Sequence, residues 1–126
     1  MREVKKFEIL AGLKRESIMY DFDADSSSLI QGYTSNEIVS WDRQYAEAVA
    51  YQLDATSIVP MLSNIATARG IAVSVLVGKV LENAIYFQHE IGRLLGVKQL
   101  RSDKLRLLEA DVTLTAEEKI NNLDLI

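Results

Sequence analysis

Hydrophobic and polar positions divide this chain into amphipathic segments, and the longest organises the rest. Between Val73 and Leu94 the residues Val73, Val77, Val80, Ala84, Phe87, Ile91 and Leu94 recur at alternating spacings of four and three. That is the stripe of one buried helical face. Beyond Leu94 the apolar series re-phases through Val97, Leu100, Leu105, Leu108 and Val112, with Lys98, Arg101, Asp103, Lys104, Arg106 and Glu109 between them. The pattern stays helical while its buried face rotates, and no proline interrupts it.

A straight helix from Val73 to Ala110 would run roughly 57 Å at about 1.5 Å per residue. A compact chain of this length has a radius of gyration of about 14 Å. The helix is therefore expected either to break or to bury its seam against another copy or another protein. Gly78, Gly92 and Gly96 sit inside the pattern, each disfavoured by about 1 kcal/mol relative to alanine in a helix interior. A close-packed second helix at the Gly92–Gly96 run is one explanation; a kink or break there is the other.

The remaining segments are shorter. Val4, Phe7, Leu10 and Leu13 share one side of a wheel, which predicts an amphipathic helix over 3–15 weakened at Gly12. Ile18, Tyr20 and Phe22 alternate with Met19 and Asp21, the periodicity of a short strand over 17–22. Asp25 is positioned to cap a turn of helix over 26–31 that Gly32 ends, and 33–40 reads as a loop. Ser40 or Asp42 then caps a helix whose face is Trp41, Tyr45, Ala48, Val49 and Gln52 or Leu53, ending near Asp54. Pro60, the only proline, suits a first helical turn because its missing N–H needs no partner there. Met61, Ile65 and Ala68 form the expected inner face of that helix, which stops at Arg69-Gly70. Thr115-Ala116-Glu117-Glu118 has the spacing of a capping box, opening a terminal helix through Ile120 and Leu123.

Composition narrows the function classes. The 126 residues support one domain, and the charged fraction of 25% is ordinary for a folded chain. A net charge of −4 disfavours nonspecific nucleic-acid binding and docking on an anionic membrane. Cysteine is absent, which removes disulfides and thiolate metal ligands. The Met1–Lys6 start lacks the apolar run of a signal peptide, and no apolar stretch has bilayer-spanning length. A soluble intracellular protein is the expectation.

Chemistry-bearing residues are few. His89, the only histidine, lies in a helical pattern with no cysteine or serine nucleophile motif to join it. Asp21, Asp23 and Asp25 imitate the start of a calcium loop, but Ser26 and Gly32 stand where that loop needs a glycine and a bidentate glutamate. Lys98, Arg101, Lys104 and Arg106 could meet phosphates, yet Asp103 and Glu109 dilute the patch and no aromatic interleaves for stacking. Ser26-Ser27-Ser28 is not a glycine-rich phosphate cradle. Trp41, Tyr45 and Tyr51 read either as interface anchors or as core. No enzyme, cofactor or metal is expected.

Two runs carry a family resemblance. Trp41-Asp42-Arg43-Gln44-Tyr45-Ala46-Glu47-Ala48, Ala50-Tyr51-Gln52-Leu53-Asp54, Val59-Pro60-Met61-Leu62 and Ala66-Thr67-Ala68-Arg69-Gly70 together resemble small tail-associated proteins of tailed bacteriophages and prophages. Lys79, Val80, Phe87, Gly96 and the segment 115–126 continue the likeness. The run from Tyr20 to Gly32 is similar to a Phe-x-x-Asp-x-x-Ser-x-x-x-Ile-x-Gly signature in an uncharacterised domain of phage tail-fibre and fibre-assembly proteins. Arg43-Gln44-Tyr45 stands where that family has an acidic residue, and the glycine turn before Phe22 is missing. The resemblance implies a role in tail or tail-fibre structure or assembly, in the host cytoplasm or the virion tail, with no catalytic residue to carry over.

The expected fold is mainly α: an N-terminal helix and strand over 1–35, then a helical bundle over 40–126 built on the long helix, as one domain. The expected function is protein–protein binding through that helix, to a tail-fibre or other tail protein and to further copies of the chain, with no nucleic acid or membrane partner. Val77, Val80, Ala84, Phe87, Ile91, Gly92, Leu95, Gly96, Trp41 and Tyr45 are the candidate interface residues. A phage-encoded inhibitor of a host protein is the competing expectation, to which the acidic charge points.

Overall fold

The computed structural model describes all 126 residues. It is mainly α, as expected, with five helices and a terminal 3-10 turn: α1 (Arg2–Ile30), α2 (Ser35–Leu53), α3 (Pro60–Arg69), α4 (Val73–Ala110), α5 (Ala116–Asn122) and the turn Leu123–Leu125. No strand is present. The chain divides into two compact units, one made of Met1–Leu29 with Ile91–Ile126, the other of Ile30–Glu90.

In the first unit α1 packs on the second half of α4 and on the C-terminal segment. Phe7, Ala11, Ile18, Leu105, Leu108 and Leu123 form its core, with Leu10, Leu114, Ile120 and Ile126 against it. This explains why the expected strand over 17–22 is helix instead. A strand would turn Ile18 and Tyr20 to one side, but Ile18 is buried and Tyr20 is 72% exposed. Ile18 lies seven residues after Ala11 and eleven after Phe7, so the helical period carries the core face on through Gly12. Asp25, read as the cap of a separate turn over 26–31, lies inside α1, and the serines that follow it are accommodated in the helix. Ser26 Oγ donates to the Asp23 carbonyl and Ser28 Oγ to the Asp25 carbonyl. Arg15 pairs with Glu109, and Arg101 donates to Asp21 at 2.8 Å and to the Ile126 carbonyl at 3.1 Å. Lys98 and Lys119 lie over the rings of Phe22 and Phe7.

In the second unit the core is Ala48, Val59, Leu62, Ala66, Leu76 and Val77, flanked by Tyr51, Ile65, Ile71, Val73, Val80 and Leu81. α2 starts earlier than expected. Thr34, not Ser40 or Asp42, is its cap: Thr34 Oγ1 accepts from Glu37 N–H and Glu37 Oε1 accepts from Thr34 N–H, both at 3.2 Å. Ser40 instead donates back to the Glu37 carbonyl. The expected loop over 33–40 is thus mostly helix. α2 ends at Asp54 as read, though Leu53 is 84% exposed and Gln52 faces solvent too.

Pro60 opens α3 as expected. Its inner side is Leu62 and Ala66, with Ala68 outward, one position off the predicted face. Gly70 closes α3 in the left-handed region (φ +68°). Its N–H reaches the Thr67 carbonyl and Ile71 N–H reaches the Ala66 carbonyl, a Schellman closure that only glycine enters without strain. Thr115 and Glu118 form the reciprocal capping box read from sequence.

Candidate functional site

α4 is one helix of 38 residues, continuous through Gly92 and Gly96, so the expected alternative of a break there does not occur. Its buried side changes along its length. Leu76 and Val77 are buried and Val80 and Leu81 half-buried in the second unit, whereas Leu94, Leu105 and Leu108 are buried in the first. On a wheel of 100° per residue those two sets lie roughly a quarter turn apart. This is the rotation that the re-phased apolar series implied.

The opposite side of α4 is uncovered. Within the second unit it carries Val75, Gly78, Glu82, Ile85, Tyr86 and His89; within the first, Gly92, Gly96, Leu100, Asp103 and Leu107, all solvent-facing. Ile85, Leu100 and Leu107 are each more than half exposed. A Cβ added at Gly78, Gly92 or Gly96 would meet nothing within 4 Å. The helix therefore accepts three glycines without using them for any contact inside the chain.

The candidate interface residues fall on different sides. Val77 is core and Val80 packs against it. Ala84, Phe87, Ile91 and Leu95 are half-buried, and Gly92 and Gly96 exposed. Trp41 stands edge-on between Tyr33 and Phe87, with ring centroids 5.0 and 5.5 Å away. Tyr45 is at the margin of exposure. Much of the seam read as a partner surface is thus packed by the chain itself, and Ile85, Leu100 and Leu107 stand exposed on the other side.

A depression lies in the first unit, a shallow groove of about 440 Å³ walled by Leu107, Leu108, Leu114, Leu125 and Ile126, with Lys104 and Asp111 at its polar edge. Asp111 is held below the ordinary carboxylate value by the Thr113 hydroxyl and then by Thr113 N–H. This aspartate stabilises a turn.

The chemistry-bearing residues stay apart. His89 is exposed on α4, and no three His, Asp or Glu side chains converge as a metal site. Asp21, Asp23 and Asp25 are on helix, with Asp21 held by Arg101. In the basic cluster Arg101 and Arg106 are paired to acids, and Lys98 covers Phe22.

One polar residue escaped the sequence reading. Glu47, only 4% exposed, reaches from α2 to the start of α3. Its Oε1 accepts Leu62 N–H at 3.0 Å and its Oε2 accepts Met61 N–H at 3.4 Å and Arg43 Nε at 2.9 Å. The clue was that Val59-Pro60 opens a helix with no capping side chain of its own, so a carboxylate from elsewhere had to serve the free N–H groups.

No protein-family model, curated protein or solved structure matches this chain. The resemblance to phage tail proteins therefore stands on the residues quoted for it.

Proposed function

We propose that the protein acts by binding another protein along the outward side of α4, as a structural or assembly component of a phage tail or tail fibre. The observation that carries the binding role is that face: exposed Ile85, Tyr86, Leu100 and Leu107 beside glycines whose Cβ positions are open. A helix laid there can approach the backbone closely at Gly92 and Gly96 while its apolar side chains meet the leucines. The tail assignment rests on the resemblance alone.

Co-expression with tail-fibre and other tail proteins of the same phage tests both parts. A stable complex that Leu100→Asp and Ile85→Asp abolish, with helicity unchanged, supports the reading. Binding insensitive to both substitutions refutes the α4 face. Absence of any tail complex, together with tight binding to an identified host protein, favours the inhibitor reading, which the net charge of −4 supports.

A further inference from the structure

α1 is apolar on two sides. Phe7, Ala11 and Ile18 face the core, while Ile9, Leu13 and Tyr20, all more than half exposed, recur at four and seven residues on the opposite side. Lys6, Glu16 and Asp23 continue this second stripe at the spacing of a coiled-coil seam, and all are exposed.

Charge along α1 is segregated. From Arg2 to Arg15 the basic side chains Arg2, Lys5, Lys6, Lys14 and Arg15 outnumber Glu3 and Glu8; from Glu16 onward Glu16, Asp21, Asp23 and Asp25 face no basic residue of the helix. The helix macrodipole favours the reverse order, so it does not account for this one. Arg15 and Asp21 are held within the chain by Glu109 and Arg101, but on the seam side Lys5, Lys6, Glu16 and Asp23 enter no ion pair.

We infer that a second copy of this chain docks along α1, antiparallel, with the basic half of each helix beside the acidic half of the other. Parallel pairing would set like charges against like. In the antiparallel register that interleaves the seam, Ile9 faces the partner's Tyr20 and Lys6 faces the partner's Asp23. Leu13 lies over the stem of the partner's Glu16. This pairing is independent of whatever binds α4.

Light scattering and sedimentation of the purified chain provide the test. The chain is expected to be a dimer, and Leu13→Lys to weaken self-association at least about tenfold (about 1.4 kcal/mol), with helicity by circular dichroism retained. Lys5→Glu with Lys6→Glu should dissociate it, as should Glu16→Lys with Asp23→Lys, and the four changes together should restore it. Because the chain has no cysteine, Ile9→Cys with Tyr20→Cys should cross-link two copies on oxidation. Ile9→Cys alone should not, since the two copies of residue 9 would lie about 16 Å apart along the axis. A monomeric wild type overturns the inference. So does a dimer that survives Leu13→Lys, one that the fourfold exchange fails to restore, or one that Ile9→Cys alone cross-links. Leu100→Asp on α4 should leave the dimer intact, so that loss of a tail partner and loss of self-association are told apart.

Discussion

Removing the Glu47 carboxylate is the most informative perturbation of the fold. Glu47→Ala takes away the acceptor for the N–H groups of Met61 and Leu62 and leaves Leu62, itself fully buried, with a donor that water cannot reach. Hydrogen bonds to a charged group contribute about 1.5–3 kcal/mol, and an orphaned buried donor costs about 1–3 kcal/mol. These are two views of one loss, and truncation adds a small void beside Ala48. The expected destabilisation is about 2–4 kcal/mol. At about 2 cal/mol/K per residue of unfolding entropy, that lowers the thermal midpoint by roughly 8–15 °C.

Arg43 provides the control. It donates to the same carboxylate but is 62% exposed, so Arg43→Ala should cost under about 1 kcal/mol. Glu47→Gln retains one acceptor and should fall between the two. Urea titration by circular dichroism gives the stabilities, and hydrogen exchange locates the effect at the amides of Met61 and Leu62. A Glu47→Ala protein within about 0.5 kcal/mol of wild type would falsify the capping role. Equal losses for Arg43→Ala and Glu47→Ala would move the energy to the ion pair instead.

Other substitutions probe the same physics. Gly92→Ala and Gly96→Ala, with open space at each Cβ, should stabilise the isolated chain by about 0.5–1 kcal/mol each in thermal melts; destabilisation would show that the face is not free. Gly70→Ala should destabilise by about 1 kcal/mol, because its φ of +68° admits a side chain only under strain. Thr34→Ala and Thr115→Ala should each cost about 1 kcal/mol by removing a reciprocal cap. Asp54 is held below the ordinary carboxylate value chiefly by the Thr56 hydroxyl and then by Thr56 N–H. Since the folded value is depressed, its turn is fully stabilising above the ordinary carboxylate value and loses that contribution as pH falls through the lowered one. Asp111 follows the same sign. Carbon-detected NMR titration of both side chains should give depressed midpoints, and an ordinary midpoint for either would refute the turn geometry.

What the sequence made legible follows from how local each signal is. The bounds of α4, the Pro60 start, the Gly70 stop and the Thr115–Glu118 box each depend on residues within one or two turns, and each is found in the structure. Helix α1 was misread because Ile18 and Phe22 fit a helical period as well as the alternation that Tyr20 completes. Only the position of the core, set by Leu105 and Leu108 far along the chain, decides that Tyr20 points out. Glu47 was invisible for the same reason, since its partners lie fourteen and fifteen residues away in another helix.

The length of α4 sets a broken helix against one that needs cover from outside only if the chain has a single core. The structure has two. The first half of α4 contributes Leu76 and Val77 to one, and the second half contributes Leu105 and Leu108 to the other. One uninterrupted helix can serve both because its apolar series shifts phase near Leu94, turning the buried side as it passes from one unit to the next. Within each unit the side of α4 turned away from that unit's core is clear. It is on that side that Gly78, Gly92 and Gly96 stand open. The re-phasing is thus how one helix serves two cores.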